Sequence, residues 1–159
     1  MKLALKTLAI TAALGLVLAA RVPTGGDARG DVAQDDVAKL KGTWIGELEG
    51  KTYIVNFNGE KFATLFEFAD GTSTSSGTFA IDPTRKPKHM DWMFTAGTGR
   101  AEKLQGKTAQ TIYEVDGETF KFLARRKEGR PEQFPEKEGV FPDKDGADGY
   151  IYLVFKRVK

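Results

Sequence analysis

A single histidine, His89, sits in the stretch PKHMDW. Paired with a serine, an imidazole would serve as the base of a nucleophilic site, but no Gly-x-Ser-x-Gly elbow accompanies it. Zinc would need several nitrogen or sulfur ligands at fixed spacing; the chain has no cysteine and no His-Glu-x-x-His. Alternation with Met90 and Trp92 points His89 outward. The stretch DKDGADG, Asp143 to Gly149, gathers three carboxylates and invites calcium. It fails the EF-hand pattern, since Asp148 stands where that loop needs its sixth-position glycine and no glutamate closes the twelfth. A solvated acidic turn is expected there. The run KFLARRKEGR, Lys121 to Arg130, is basic and follows Phe120. Exposed aromatics beside such cations would stack on single-stranded nucleic acid. Here Phe120 and Phe122 fall on the inward side of a strand, and Glu128 and Glu132 dilute the charge. Nothing selects a carboxylate pair for glycoside hydrolysis. No catalytic residue, metal or cofactor is therefore expected, and the chain reads as non-enzymatic.

Charge supports this. The chain carries 24 basic and 22 acidic residues, and the excess lies in Lys2 and Lys6. The remainder is balanced, with no global field to draw in nucleic acid or anionic lipid. Lys2 and Lys6 head an apolar run from Thr7 to Ala20 that ends in small residues, the pattern of a secretory signal peptide over 1–20. The run falls short of the ~20 apolar residues of a transmembrane helix. Cleavage after Ala19 or Ala20 would export a chain with no stable membrane span, to the periplasm or beyond. Without cysteine there is neither a disulfide nor a lipidated N-terminus.

Residues 21–34, beginning RVPTGGDARGDVA, lack apolar periodicity and read as a flexible linker. The single domain spans 35–159, opening with a short helix that Asp35 would N-cap and that ends near Leu40. Thereafter β-rich runs alternate with turn dipeptides. Eight strands are predicted, at 43–49, 52–58, 61–68, 72–82, 89–95, 107–115, 118–125 and 150–158. Turns centred on Gly50–Lys51, Asn58–Gly59, Asp70–Gly71 and Asp116–Gly117 suit two-residue hairpins. They would pair Leu48 with Tyr53, Val55 with Phe62, Phe62 with Phe79, and Tyr113 with Phe120. That places Trp44, Leu48, Tyr53, Val55, Phe57, Phe62, Phe66 and Phe79 on one face. Sequential hairpins with one buried face predict an all-β, eight-stranded antiparallel up-and-down barrel, with a two-sheet sandwich as the alternative. The Pro-rich segment 126–149 shows no clear strand, and Phe134, Val140 and Phe141 would let it fold over a barrel end.

The inward face is bulky and aromatic, which fits either a core filled by its own side chains or a small apolar cavity at one end. If a ligand binds, Trp44, Tyr53, Phe66 and Tyr113 would line the site, with Arg157 closing one end. In a closed barrel the last strand ends beside the start of the first, bringing the Arg157 guanidinium over the Trp44 indole.

Gly-x-Trp on the first strand with a basic residue on the last resembles the lipocalin and calycin barrels. KLKGTW, GTFAIDPTRKPKHMDW, GKTAQTIYEVDGETFKF, RPEQF and LVFKR together are more closely similar to a family of uncharacterised, exported, lipocalin-like domains expanded in planctomycete bacteria. The resemblance covers about Asp36 to Arg157 and implies a fold but no activity and no catalytic residues. The chain departs from that pattern after Phe134, where its loop to the last strand is longer. The expected function is an exported lipocalin-like domain binding a small hydrophobic ligand. The alternative is a protein-interaction or structural module of the cell envelope, with an envelope protein as partner, working through the 126–149 loop.

Overall fold

The structure is a computed structural model describing residues 28–68, 71–125, 129–142 and 148–159. The signal-peptide reading of 1–20, the linker up to residue 27, the Asp70 position, residues 126–128 of the basic run and residues 143–147 of the acidic turn lie outside the described residues. Helix α1 (Ala28–Leu40) precedes nine strands: β1 (Gly42–Leu48), β2 (Lys51–Asn58), β3 (Lys61–Phe68), β4 (Gly71–Asp82), β5 (Lys88–Gly97), β6 (Thr108–Val115), β7 (Thr119–Arg125), β8 (Gly139–Pro142) and β9 (Asp148–Arg157). A 3-10 helix, η1 (Gly99–Leu104), joins β5 to β6. Strands β1 to β7 pair in sequence, and β9 pairs with β7 on one side and β1 on the other. This closed, all-antiparallel, eight-stranded barrel is the architecture expected from sequence; β8 is an added strand on the β9 edge.

Alternation builds the core. Trp44, Tyr53, Val55, Phe57, Phe62 and Phe79 are buried, and Leu48 and Phe66 pack against them. Yet every hairpin differs from its expected pairing by two residues. Leu48 faces Lys51, Phe57 faces Phe62, Phe62 faces Gly77 across β3 and β4, and Tyr113 faces Phe122. The turns fall on neighbouring residue pairs. Glu49 and Gly50 both take positive φ, 53° and 71°, as a type I′ turn demands. Gly59 and Gly117 each stand first in their turns, at φ 61° and 102°. An even shift keeps each side chain on its face, so the predicted core survives the change of partner.

Two glycines let strands approach. A Cβ on Gly77 would lie 1.9 Å from the Met93 carbonyl oxygen, at the irregularity where the β4–β5 register shifts. A Cβ on Gly46 would meet the Val154 carbonyl at 3.0 Å and the Phe155 ring at 3.1 Å, where β1 closes on β9.

Helix α1 starts at Ala28, not at Asp35. Asp35 therefore lies inside the helix, where Lys39 one turn on is its partner at 2.5 Å. Only Asp36, Val37 and Leu40 of the last turns are drawn into the barrel end, and two apolar residues make too short a stripe to show how far the helix extends before Asp35.

The segment 129–142 does not fold over a barrel end. It runs as a strap along the outer wall. Ile112, Leu123 and Tyr152 are neighbours across β6, β7 and β9 on the outward face, and they form a second buried apolar cluster. Phe134 and Phe141 pack onto it, with the Phe134 and Tyr152 rings 5.4 Å apart. The outer wall there is itself apolar, which is why the strap is drawn to it. Among the described residues no helix is long and apolar enough to cross a membrane.

Candidate functional site

The two barrel ends differ in chemistry. At one end, α1 lies over the start of β1, the end of β6 and the end of β9. Gly42 has φ +119°, and a Cβ there would stand 3.0 Å from Arg157 Nη1. A side chain there would crowd that guanidinium, at a backbone conformation that favours glycine. Trp44 and Arg157 are paired across β1 and β9, and the guanidinium carbon sits 4.3 Å from the indole centroid. Arg157 Nη1 donates to the Lys41 carbonyl at 2.6 Å, Nη2 donates to the Lys39 carbonyl, and Nε donates to the Gly117 carbonyl. Trp44 Nε1 donates to the Leu40 carbonyl at 2.7 Å. Three successive carbonyls at the helix C-terminus are thus satisfied by two side chains of the barrel, which also places a cation at the negative end of the helix dipole.

Beside this cap lies a buried polar cluster. Asp36 is 1 % exposed. Its Oδ2 accepts from Lys88 Nζ at 2.6 Å and from the Tyr113 hydroxyl at 2.7 Å. Burial first, then the bond to Asp36, pushes the Tyr113 hydroxyl up, so it remains a donor. A groove of about 500 Å³ runs beside α1, lined by Ala33, Ile81, Asp82, Pro83, Thr84 and Arg85.

At the opposite end the rim is aromatic above and hydroxylic below. The Tyr53 ring lies 5.1 Å from Phe66 and 6.5 Å from Phe68. The guanidinium of Arg100, from η1, stacks 4.5 Å over Phe68. On the adjoining inner wall Thr64, Ser73 and Ser75 are buried; the Thr64 and Ser75 hydroxyls are 2.6 Å apart, and Ser73 Oγ accepts from the Arg100 N–H at 2.8 Å. That bond requires close approach: a Cβ on Gly99 would lie 2.8 Å from Ser73 Oγ. A groove of about 360 Å³ along η1 is lined by Gly99, Arg100, Glu102 and Lys103. Between the two ends the lumen is filled by rings in contact, Phe57 with Phe79, Trp92 and Phe120, and Phe62 with Trp92 and Phe94.

The five residues read from sequence as ligand-lining do not converge. Trp44, Tyr113 and Arg157 gather beneath α1, whereas Tyr53 and Phe66 face the η1 end. His89 lies on the outward side of β5, opposite Asp82 and Ile112, partly covered. Burial first, then the Arg130 and Arg85 cations, holds its imidazole below the ordinary value of 6.5. Asp82 caps its turn, accepting from the Thr84 N–H at 3.1 Å and from the Arg85 Nε at 3.1 Å. Glu114 and Lys121 are direct cross-strand partners at 2.6 Å.

Three residues to which sequence reasoning gave no role hold key positions. Asp36 is one of two adjacent aspartates, and only the helix phase selects it. Arg100 sits in an ordinary β5–β6 connection. Arg130 opens the strap: its Nη1 donates to the Met90 carbonyl at 3.2 Å and to the Thr111 carbonyl, and its Nη2 donates to Asp91 Oδ1. The next residue, Pro131, is buried. RPEQF was the available signal, since arginine, proline and phenylalanine there anchor the strap's first half. Among the described residues no group of three or more metal-ligating side chains forms. No protein-family model matches the chain, and neither does any curated protein or solved structure with which it was compared.

Proposed function

We propose that this chain is an exported lipocalin-like domain that binds a small apolar molecule at the η1 end of its barrel. The observation carrying the reading is the pair of half-covered rings, Phe66 and Phe68, packed on the buried Tyr53 ring beside the buried hydroxyls of Thr64, Ser73 and Ser75. An apolar wall with a few convergent polar groups is the usual make-up of a small-molecule site. The opposite end is closed by α1 and its caps, and the lumen between is occupied by rings, so the ligand lies at the rim and not deep inside. Tyr53 and Phe66 contact it; Trp44, Tyr113 and Arg157 maintain the closed end. Export rests on the pattern of the first twenty residues.

Mass spectrometry of organic extracts from the purified mature protein tests the reading, together with titration by the neutral fluorophore N-phenyl-1-naphthylamine. A co-purifying apolar molecule, and probe binding weakened at least tenfold by Phe66→Ala, support it. An extract without any such molecule and a probe that does not bind would sink it. N-terminal sequencing of the exported protein checks the leader: a start at Ala20 or Arg21 is expected, and a start at Met1 refutes cleavage.

The second reading, an envelope interaction module, draws on the strap. It covers an apolar outer wall and adds β8 to the β9 edge. Replacing 129–142 with a short glycine–serine linker would abolish cross-linking to an envelope partner if this reading holds. Unchanged partner recovery with the barrel intact counts against it.

A further inference from the structure

The Asp36 carboxylate belongs to α1, but both groups that hydrogen-bond to it belong to the barrel; Lys39 of α1 itself lies 3.8 Å from its other oxygen, Oδ1. Lys88 Nζ, at the start of β5, and the Tyr113 hydroxyl, near the end of β6, converge on one oxygen from 2.6 and 2.7 Å. Lys88 Nζ also stands 5.8 Å from the centroid of the Tyr113 ring, so the two donors form one unit. Asp36 is buried whereas the Lys88 side chain keeps 32% of its surface exposed, and an ion pair of this kind adds little net stability to a plug that only seals a barrel. The barrel's share of the cluster has the make-up of a carboxylate receptor: one cation and one neutral hydroxyl donor, walled by the core to which Val37, Leu40 and Trp44 belong, with the Lys39 cation of α1 beside it. The polar fastenings of α1 fall into two groups. Carbonyls 39–41 are bound by Arg157 and Trp44, next to the point where the helix joins β1. One turn earlier, Asp36 is held by Lys88 and Tyr113. The first group sits at a pivot and the second acts as a latch. The groove lined by Ala33 and residues 81–85 runs alongside the latch.

We propose that Lys88 and Tyr113 form a binding site for a small apolar monocarboxylate, and that Asp36 occupies it as an internal ligand. An external carboxylate takes the place of Asp36, and its apolar chain covers the surface left by Val37 as α1 turns outward about residues 39–41. Asp36, tethered nearby, competes at an effective concentration on the order of millimolar, so the unaltered protein binds such ligands weakly. This site is at the end of the barrel opposite the η1 rim and goes beyond the apolar-ligand reading, which concerns that rim.

The test is calorimetric titration of the mature protein with dodecanoate, with dodecanol as the uncharged control. Asp36→Ala is expected to bind dodecanoate at least tenfold more tightly than the unaltered protein, with no gain for dodecanol. Adding Lys88→Met to Asp36→Ala is expected to erase the gain. A folded Asp36→Ala without tighter binding overturns the proposal, as does an equal gain for dodecanol. Should Asp36→Ala not fold, hydrogen exchange on the unaltered protein decides. Millimolar dodecanoate is expected to speed exchange at amides 33–37, and unchanged protection there overturns the proposal. Binding of N-phenyl-1-naphthylamine at Tyr53 and Phe66 reports on the rim alone, so either site can fail without the other.

Discussion

Arg157 on the last strand is the cross-strand partner of Trp44 on the first, and its guanidinium lies 4.3 Å from the indole centroid. The pair closes the barrel, caps α1 through the carbonyls of residues 39–41 and reaches the β6–β7 turn at Gly117. Trp44 is also fully buried. Trp44→Ala is expected to cost about 3–5 kcal/mol in urea denaturation, the usual range for large-to-small core truncation. A loss below about 1 kcal/mol would remove the indole from any central role in closure.

Arg157→Lys keeps the charge but loses the planar fork that serves two helix carbonyls while stacking on the ring. It is expected to cost about 1–3 kcal/mol, the range for losing hydrogen bonds made by a charged group. Circular dichroism and denaturation give the comparison; a lysine variant as stable as the parent contradicts the capping account.

Gly42→Ala places a methyl 3.0 Å from Arg157 Nη1 at a φ of +119°. Backbone strain of this kind costs about 1–3 kcal/mol. If the methyl acts by displacing the guanidinium, the loss overlaps with that of Arg157→Lys and the double variant falls short of the sum. Strict additivity would show that Gly42 serves backbone conformation alone.

Arg130→Gln releases the strap from the Met90 and Thr111 carbonyls and from Asp91. Limited proteolysis is expected to cut 129–142 at least tenfold faster while the barrel persists. The same variant removes a cation that disfavours the imidazolium of His89. By NMR, His89 is expected to titrate below 6.5 in the parent and to move up toward 6.5 in Arg130→Gln. The sign for stability follows: a histidine with a lowered folded-state pKa costs nothing at high pH. Stability is lost as pH falls below 6.5, where the unfolded chain takes up the proton first, and the loss levels off below the folded-state value. His89→Gln is expected to flatten that slope. An unshifted His89 resonance in Arg130→Gln would place the strap elsewhere in solution.

Alternation of residues such as Tyr53, Val55 and Phe57 made the strands and the buried face legible, because parity in a strand outlasts a turn misplaced by one residue. The partner residues themselves were not legible, since Asn58–Gly59 and Asp116–Gly117 hold two neighbouring places for a two-residue turn. Gly-x-Trp and the terminal arginine gave the closure because β1 and β9 must meet. The site was harder to see. Trp44 and Tyr53 share a face, but Trp44 lies opposite Val55 and Tyr53 opposite Gly46, nearer the β1–β2 turn, so their rings serve opposite ends. Asp36 looked like any solvated acid in QDDVAKL. Phe134 and Phe141 marked the strap as apolar without revealing that Ile112, Leu123 and Tyr152 form an outer surface to receive it.

The most direct test of the functional account is NMR mapping of the labelled mature protein against N-phenyl-1-naphthylamine. Shifts are predicted at Tyr53, Thr64, Phe66, Ser73 and Arg100, while the Trp44 indole N–H, bonded to Leu40, stays in place. Shifts concentrated at Trp44 and Tyr113, with Tyr53 and Phe66 unmoved, would contradict it.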